Sequence, residues 1–503
     1  MATAHDTAIE MDVDAKTQKQ TSLHDKEVPG TGNGTVEVID EKAERAYVRK
    51  LDAYLLPFLS LMYFFNSVDR SNLGNAQTDN MDKDLGFRGE EYSLLVLLFY
   101  VPNGLCDLPL NLLTVRLKGG GRVVLSGLML AWGSCALLQC AATNFAGLLV
   151  LRLLLGGFEA GFFAGVVFYL TLFYTRGELG FRLALFFGSA LLAGAFSGLI
   201  SYGVFRIEHA GVPGWKWLFL IEGAMTVIIA VAAYFWLPTS ASTAWFLDAS
   251  EREVAERRTL RDLSSTSEST FNWAECFRTW SDWKFIPWCV IAFTYPVAFT
   301  TTSNFLPQIV QRLGYSVVKT NLWTVAPNAV GFVVLLAVAW SSDRLRERCF
   351  HIVFALTLSL IGLLLLATID VVENKGLAYF ACFLLTCGAY IPSCLVHSWH
   401  NNNNLNENSR AATTGLLVGL GNLGGIVSAA TFRSEYAPKY VPNLVATAVC
   451  NATCIVVTLA LGVWMKLENR RRDKVMGRKV RPEEVSTAVL GLGEESEMWR
   501  YFT

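Results

Sequence analysis

Charged residues are scarce in this sequence. Asp, Glu, Lys and Arg make up 17% of its 503 residues, while 52% are apolar. Soluble domains carry about 25% charged residues, so the composition excludes an ordinary soluble enzyme and predicts an integral membrane protein. The formal net charge of -1, with Lys and Arg spread among short loops, provides no basic patch for nucleic acid.

Motifs for several kinds of chemistry are also missing. The sequence has no glycine-rich phosphate loop that ends in Gly-Lys-Ser/Thr, no HExxH motif and no Cys/His cluster with metal-site spacing. These absences argue against ATP-driven pumping and against an enzyme, and we expect neither a cofactor nor a metal. Most of the eleven cysteines fall within apolar runs, which favours packing over a disulfide framework.

Apolar runs that are long enough to cross a bilayer recur along the chain. A membrane-spanning helix needs about 20 predominantly apolar residues, and about twelve such runs are present. The predicted spans are residues 52–72, 91–113, 121–142, 146–170, 182–204, 217–237, 285–310, 320–341, 350–370, 376–398, 410–432 and 443–465. The sequence therefore predicts an all-α membrane protein with twelve transmembrane helices.

One long hydrophilic stretch divides these spans into two sets of six. The expected division is a mostly disordered cytosolic tail at 1–50, a six-helix bundle at 51–237, a cytosolic central loop at 238–284, a second six-helix bundle at 285–465 and a cytosolic tail at 466–503. Within the loop, SERE at residues 250–253 predicts a capping box that opens a helix. Residues 264–270 have the composition of a flexible linker, with phosphorylation as the alternative.

Loop charge predicts the orientation. Lys and Arg collect before the first span and in alternate loops, whereas the opposite loops are acidic or nearly neutral. Basic loops remain on the cytosolic side, so both termini should be cytosolic. An even number of spans agrees with this.

Two opposite charges end the first span. Its uncharged part, residues 54–68, rises only about 22 Å as a helix, whereas a hydrocarbon core is about 30 Å thick. Asp69 and Arg70 must therefore lie in or near the membrane, where charges are costly and usually functional. Asn66, Asp69 and Arg70 have the i, i+3, i+4 spacing of one helix face that can turn toward a central cavity.

The fourth span also carries a charged pair. Arg152 and Glu159 are seven residues apart and so share a helix face. The same span contains Gly157, Gly161 and Gly165 at four-residue intervals, which predict close packing of helix backbones.

Several loops resemble those of the major facilitator superfamily. AWSSDRLRER at residues 339–348 is similar to the family signature between spans 8 and 9, and RLLLG at 152–156 is similar to the arginine motif of span 4. The first-half copy of the loop signature, NLLTVRLKGGGR at 111–122, is degenerate and lacks the acid. The resemblance implies a secondary transporter with two similar six-helix bundles around a central site.

A narrower resemblance is to the fungal allantoate permease branch of the anion:cation symporter family. The motifs that carry it are NSVDRSNLGNA at 66–76, GWKWLFLIEG at 214–223, FWLP at 235–238 and LPQIVQRLGYS at 306–316. Members take up small carboxylates or vitamins such as allantoate, nicotinate, pantothenate and biotin, commonly with protons. The chain departs from this branch at WHNNNNLNENSR, residues 399–410, where a more regular Asn-Asn-x-Ala-Gly pattern is replaced.

The resemblance implies proton coupling by acids and arginines at matching positions. We expect Asp69, when ionised, to pair with Arg152, and its protonation to release Arg152. Glu159 would be a second proton site or a relay. Arg70, with Asn66 on the same helix face, would hold the substrate carboxylate, because a guanidinium binds both oxygens at once. The alternative is that these residues form fixed structural ion pairs.

The second half offers polar and aromatic groups in place of charges. The candidates for contact with the organic part of a substrate are Tyr295, Asn304, Tyr390, His397 and Asn422. Ordinary hydrogen bonding between helices is the alternative for each of them.

Four loop residues are candidates for gating. Asp343 and Arg344, with Arg116 and Arg122, are expected to form cytosolic contacts that stabilise one conformational state. The competing interpretation is that the arginines only fix the topology.

Together these features favour a monomeric, proton-coupled importer of a small organic anion in the plasma membrane. Its expected partners are the substrate, protons and the bilayer. Two alternatives remain open. One is an exporter of a metabolite or drug, for which the same fold would serve, and the other is a nutrient sensor that binds without transporting.

Overall fold

The computed structural model describes residues 41–79, 81–88, 91–117, 119–175, 178–205, 211–262, 272–311, 313, 317–371, 373–404, 406–436, 439–479, 496 and 498–503. Residues 1–40 of the predicted mostly disordered tail at 1–50 lie outside this part of the chain, as does the linker at 264–270, whereas residues 41–50 are helical. The described residues from 43 onward form one unit.

The described residues form α-helices and short 3-10 turns, and they contain no strand. The α-helices are α1 Glu41–Tyr54, α2 Leu56–Thr78, α3 Met81–Asp84, α4 Glu91–Arg116, α5 Gly120–Leu138, α6 Phe145–Glu159, α7 Phe162–Thr171, α8 Leu179–Val204, α9 Gly214–Trp236, α10 Ala249–Asp262, α11 Trp273–Arg278, α12 Phe285–Gln311, α13 Val317–Leu345, α14 Cys349–Thr368, α15 Lys375–Ala389, α16 Ile391–Asn403, α17 Glu407–Thr431 and α18 Val441–Val475. The 3-10 turns are Gln139–Ala141, Ala241–Thr243, Thr279–Ser281 and Ser434–Tyr436.

Twelve stretches of the described chain are long and apolar enough to cross a membrane. Three of them combine two helices each: α1 with α2, α6 with α7, and α15 with α16. Each predicted span overlaps one of these stretches, so the prediction of an all-α membrane protein with twelve spans is confirmed.

Helices from the two halves of the chain pack through small residues. A Cβ atom on Gly104 of α4 would lie 2.6 Å from the Leu423 side chain and 2.8 Å from the Gly419 carbonyl oxygen of α17. A Cβ atom on Gly188 of α8 would lie 2.6 Å from the ring of Phe332 in α13. Glycine therefore permits the close approach of helix pairs that join the halves.

The fourth and tenth spans are both interrupted near their middle. The fourth span breaks between Glu159 and Phe162, where Gly161 has a left-handed backbone with φ of 72°. The tenth breaks at Tyr390, two residues before Pro392. Gly157, Gly161 and Gly165 therefore do not share one continuous helix face, which their four-residue spacing assumed.

At one end of the helices, helix α1 contacts residues that lie far away in the sequence. Lys50 forms ion pairs with Asp248 (3.0 Å) and Glu251 (2.8 Å), and Arg182 forms an ion pair with Asp52 at 2.6 Å. We call the end of the bundle that carries these residues and Thr503 the terminal face.

Helix α10 on the terminal face begins slightly earlier than the capping box predicts. Its first residue is Ala249, and the Asp248 N–H donates to Glu251 Oε2 at 2.9 Å. The carboxylate three residues into the helix is therefore Glu251, and the predicted box at residues 250–253 is wrong by two positions.

Replacement of Gly161 by alanine should destabilise the protein. The left-handed backbone alone costs a residue with a side chain about 1–2 kcal/mol, and the new Cβ would lie 2.6 Å from the Leu110 Cβ atom. The measurement is thermal unfolding of purified protein in detergent.

Gly157→Ala is the matched control in the same span, because its new Cβ would meet only the Pro102 Cβ atom, at 3.9 Å. Equal melting temperatures for the two variants would contradict the break at Gly161.

Candidate functional site

A cavity lies between the two halves of the helical bundle. The space between the side chains that line it is about 520 Å³, and part of this space is open to solvent. Its wall consists of Tyr63, Asn66, Arg70, Asn103, Asp107, Glu159, Phe163 and Phe187 from the first half, and of Tyr295, Pro296, Phe299, Ser393, His397, Val418, Gly421 and Asn422 from the second. A concave site with rings and a few polar groups is typical of small-molecule binding.

Arg70 and Glu159 form an ion pair in this wall. The Arg70 Nε atom bonds Glu159 Oε1, and the guanidinium lies 5.5 Å from the centre of the Phe99 ring. The Glu159 side chain is only 1% exposed, whereas that of Arg70 is 24% exposed. The more accessible Arg70 side chain therefore faces the cavity, while Glu159 occupies one of its hydrogen-bond donors.

Asp107 is a second acid in the wall. Its Oδ1 atom accepts a hydrogen bond from the Gly161 N–H at 2.7 Å, and its Oδ2 atom accepts one from Asn422 Nδ2 at 2.6 Å. The Asp107 carboxylate thus accepts a hydrogen bond from the Gly161 N–H, which the break in the fourth span leaves without a partner within the helix. It also joins α4 of the first half to α17 of the second.

The wall of the second half is rich in rings. The Tyr295 hydroxyl lies 3.0 Å from His397 Nε2, and the Phe163 ring lies 5.4 Å from the His397 ring. Two predicted contact residues lie outside the cavity wall. Tyr390 packs its ring against Phe299 at 5.1 Å, and Asn304 donates to the Tyr100 hydroxyl at 2.8 Å.

Asp69 and Arg152 lie away from the cavity. Asp69 Oδ2 accepts a hydrogen bond from Thr226 at 2.9 Å, and the Arg152 guanidinium lies 5.8 Å from the Phe219 ring centre. These described residues form no ion pair with each other. The reason is rotational: Asn66 and Arg70 are about 40° apart on a helix, whereas Asp69 is about 100° from Arg70. Asp69 therefore faces α9.

Glu222 adds a further acid to this off-cavity region. It is one turn before Thr226, and the Thr226 hydroxyl also bonds the Glu222 carbonyl oxygen at 3.1 Å. Asp69, Arg152 and Glu222 are all at most 2% exposed, and neither Glu222 carboxylate oxygen has a hydrogen-bond partner among the described residues.

The four predicted gating residues do not form one network. Arg116 is exposed, Arg122 donates to the Tyr234 carbonyl oxygen at 2.6 Å, and Arg344 lies over the Trp340 ring at 5.6 Å. Among the hydrogen bonds and ion pairs that the described part of the chain shows for these four residues, only one, at Asp343, reaches the other half. It accepts a hydrogen bond from the Phe181 N–H at 2.6 Å and forms an ion pair with Arg348.

Sequence reasoning did not select Asn103, Asp107 or Glu222 as site residues. The available signal was a polar or acidic residue inside an apolar run, which is the same signal that selected Asp69. Asn103 is 1% exposed, and neither atom of its carboxamide has a partner among the described residues. Its amide can therefore donate to and accept from a bound molecule.

Comparisons with known proteins agree with this architecture. A family model described as Major Facilitator Superfamily matches residues 59–429. The major facilitator-type transporter hxnP of Emericella nidulans is 59% identical over 489 residues, which cover 96% of this chain and 98% of hxnP. The MFS-type transporter efuF of Hormonema carpetanum is 48% identical over 494 residues, which cover 97% of this chain and 99% of efuF.

Solved structures support the fold. The proton:xylose symporter XylE matches with a TM-score of 0.64 and 13% sequence identity, and the match covers 81% of this chain and 95% of XylE. The E. coli fucose:proton symporter FucP matches with a TM-score of 0.57 and 14% identity over 80% of this chain and 98% of FucP. The predicted fold of two six-helix bundles is confirmed.

Removal of Arg70 alone should be strongly destabilising. Arg70→Met leaves the buried Glu159 carboxylate without its ion-pair partner, and breaking a buried pair in this way costs about 3–5 kcal/mol. The double variant Arg70→Met/Glu159→Met should recover most of the lost stability, as measured by thermal unfolding in detergent.

Arg344→Met is the control, because that arginine is exposed. If the double variant were as unstable as Arg70→Met, loss of the ion pair would not explain the destabilisation by Arg70→Met.

Proposed function

The chain belongs to the major facilitator superfamily and is a membrane transporter, and on this premise we propose that it imports a small organic anion together with protons. The observation that carries the proposal is the Arg70–Glu159 ion pair in the wall of the central cavity. Small carboxylates and vitamins, such as nicotinate, pantothenate, biotin or allantoate, are the substrate class that the sequence motifs favour.

The ion pair makes anion binding and proton binding depend on each other. A substrate carboxylate needs the Arg70 guanidinium, which Glu159 engages in the empty protein. Protonation of Glu159 removes its charge and weakens the pair, so that the substrate anion replaces it on Arg70. The cavity then holds the same net charge before and after binding. Because separated charges are costly at this depth, one proton per monoanion is the favoured combination.

The remaining wall residues suit the organic part of such an acid. Asn66, Asn103 and Asn422 supply amide groups, and Tyr295 and His397 supply a ring surface with hydrogen-bonding atoms. The two halves of the cavity therefore have different proposed roles. In this proposal the first half binds the carboxylate of the substrate, and the second half contacts its organic part.

Asp69 and Arg152 form a second proposed proton site. Their position against Thr226 and Phe219, beside Glu222, places three ionisable groups in one buried region of the first bundle. Protonation of Asp69 would weaken its attraction to Arg152 and change the packing between α2, α6 and α9. Glu222 extends the predicted set of proton-coupling residues.

Orientation and location complete the proposal. Basic loop residues favour a cytosolic position for the terminal face, and the resemblance to plasma-membrane permeases favours that membrane. Import then moves the anion from the face opposite the termini toward the cytosol.

One observation favours a second candidate, the export of an organic cation in exchange for protons. The cavity wall holds two acids, Glu159 and Asp107, and one arginine, Arg70. With both acids ionised the wall carries a net negative charge, which attracts cations. The two candidates differ in the direction of transport and in the charge of the transported molecule.

Labelled-substrate uptake is the experiment that tests the proposed function. Cells that express the chain should accumulate at least one acid from a panel of labelled vitamins and carboxylates, and a protonophore should abolish the accumulation. Efflux without uptake, or transport of organic cations alone, would overturn the importer proposal.

Glu159→Gln should separate exchange from accumulation. The glutamine resembles the protonated acid and leaves Arg70 available, so exchange of labelled for unlabelled anion should persist. Accumulation driven by the proton gradient should fall at least tenfold, and the pH dependence of exchange should disappear. Glu435→Gln, a change at an exposed acid, is the control. If Glu159→Gln still accumulated the anion, Glu159 would not be the coupling residue.

Asp69→Asn tests the second proposed proton site. Proton-driven accumulation should fall while the purified protein keeps its affinity for the anion, because Asp69 lies outside the cavity wall. We would abandon a coupling role for Asp69 if accumulation remained intact.

A further inference from the structure

The last residues of the chain lie against the terminal face. Trp499 and Tyr501 are 3% and 5% exposed. Arg500 forms an ion pair with Asp473 of α18 at 2.8 Å, and the Lys284 ammonium group donates to the Tyr501 hydroxyl at 3.2 Å. We call residues 498–503 the tail segment.

Two asparagine side chains bind the backbone of the tail segment. Asn469 accepts from the Tyr501 N–H at 2.8 Å and donates to the Tyr501 carbonyl oxygen at 2.9 Å. Asn403 makes the same pair of bonds to the N–H and carbonyl oxygen of Phe502, each at 2.9 Å. Each carboxamide thus pairs with one residue as a neighbouring β-strand would.

The tail segment also contacts Arg348, the ion-pair partner of the predicted gating residue Asp343. The Arg348 N–H donates to the Thr503 carbonyl oxygen at 2.6 Å, and the Arg348 guanidinium lies 5.4 Å from the Phe502 ring centre. The same guanidinium forms the ion pair with Asp343 and donates to Ser342 Oγ at 2.9 Å. Arg348 is fully buried between these partners.

Asp343 continues this chain of contacts into the other half. It accepts from the Phe181 N–H at the beginning of α8, where a carboxylate interacts favourably with the helix dipole. A Cβ atom on Gly180 would lie 2.7 Å from the Arg348 guanidinium nitrogens. The tail segment, Arg348, Asp343 and α8 therefore form a continuous path across the boundary between the halves.

The segment that departs from the permease branch supplies part of this binding site. Trp399 Nε1 donates to the Phe502 carbonyl oxygen at 2.8 Å, and Asn403 lies one helical turn later. The first part of this departing segment, residues 399–403, therefore contacts the tail segment.

We propose that Asn403, Asn469, Trp399 and Arg348 form a binding site for the chain's own tail segment, and that its occupation holds the terminal face closed. The bound tail positions Arg348 so that Asp343 can hold α8. When the tail leaves, the contact between the halves weakens and the population open at the terminal face rises.

Peptide binding tests the site itself. A fluorescent synthetic peptide of residues 496–503 should bind the purified chain that ends at residue 497, as measured by anisotropy in detergent. Asn469→Ala removes two hydrogen bonds and should weaken binding about tenfold. Arg471→Ala, two residues away in the same helix and 76% exposed, should leave binding unchanged. Absence of binding, or an equal loss with both variants, would overturn the proposal.

The native Cys276 reports closure of the terminal face. It is fully buried in one cluster with Leu112 of the first half and Ala412 of the second, and burial raises the pKa of its thiol. Glu275 beside it accepts hydrogen bonds from Asn406 and Asn408, which hold the pKa of Glu275 below its usual range. This anchor for α11 therefore remains ionised near neutral pH. Because Cys276 is covered by residues of both halves, we expect separation of the halves to speed its alkylation.

The rate of Cys276 alkylation, resolved by peptide mass spectrometry, should rise about tenfold when the chain ends at residue 497, which is within the usual range for coupling between sites. Full-length Asn469→Ala should give a smaller rise in the same direction, and the synthetic peptide should restore the slow rate in the shortened chain. An unchanged rate while the peptide binds would show that the tail does not control the gate. No transport substrate enters this test, so its failure is distinct from failure of the proposed function.

Discussion

The ion pair between Arg70 and Glu159 is the interaction on which the proposed transport cycle depends. An arginine in the middle of a membrane protein needs a counter-charge, and here the nearest acid is itself buried and part of the cavity wall. In the proposed cycle, Arg70 binds an anion fully only after Glu159 has been neutralised. Because a buried arginine needs a counter-charge, we propose that loss of the Glu159 charge on protonation is linked to binding of a substrate anion at Arg70.

The broken helices explain why that pair can exist where it does. Glu159 is the last residue of α6, and the left-handed turn at Gly161 ends the helix at the cavity. The buried Gly161 N–H, which has no partner within its own helix, donates to Asp107, and Asp107 also accepts a hydrogen bond from Asn422 of the other half. One carboxylate therefore stabilises the break and contacts a helix of the other half. The tenth span is interrupted at Tyr390, whose backbone is right-handed and which lies two residues before Pro392.

Much of this architecture followed from the sequence, and the exceptions have physical causes. Apolar runs located all twelve spans, and the i, i+4 spacing brought Asn66 and Arg70 together on the cavity wall. The same argument failed for Asp69, because a residue one position away on a helix lies about 100° around its axis and faces another neighbour. Local sequence also could not show that Asp343 would pair with Arg348 instead of Arg344, since several arginines follow it and tertiary contacts decide among them.

The central claim is that an arriving anion replaces Glu159 on Arg70 only when Glu159 binds a proton. The most direct measurement is the number of protons taken up when the purified protein, in weakly buffered detergent solution with a pH indicator, binds a carboxylate identified by uptake. The account predicts about one proton per anion for the native chain near neutral pH and none for Glu159→Gln. Anion binding without proton uptake by the native chain, or equal uptake by both proteins, would contradict it.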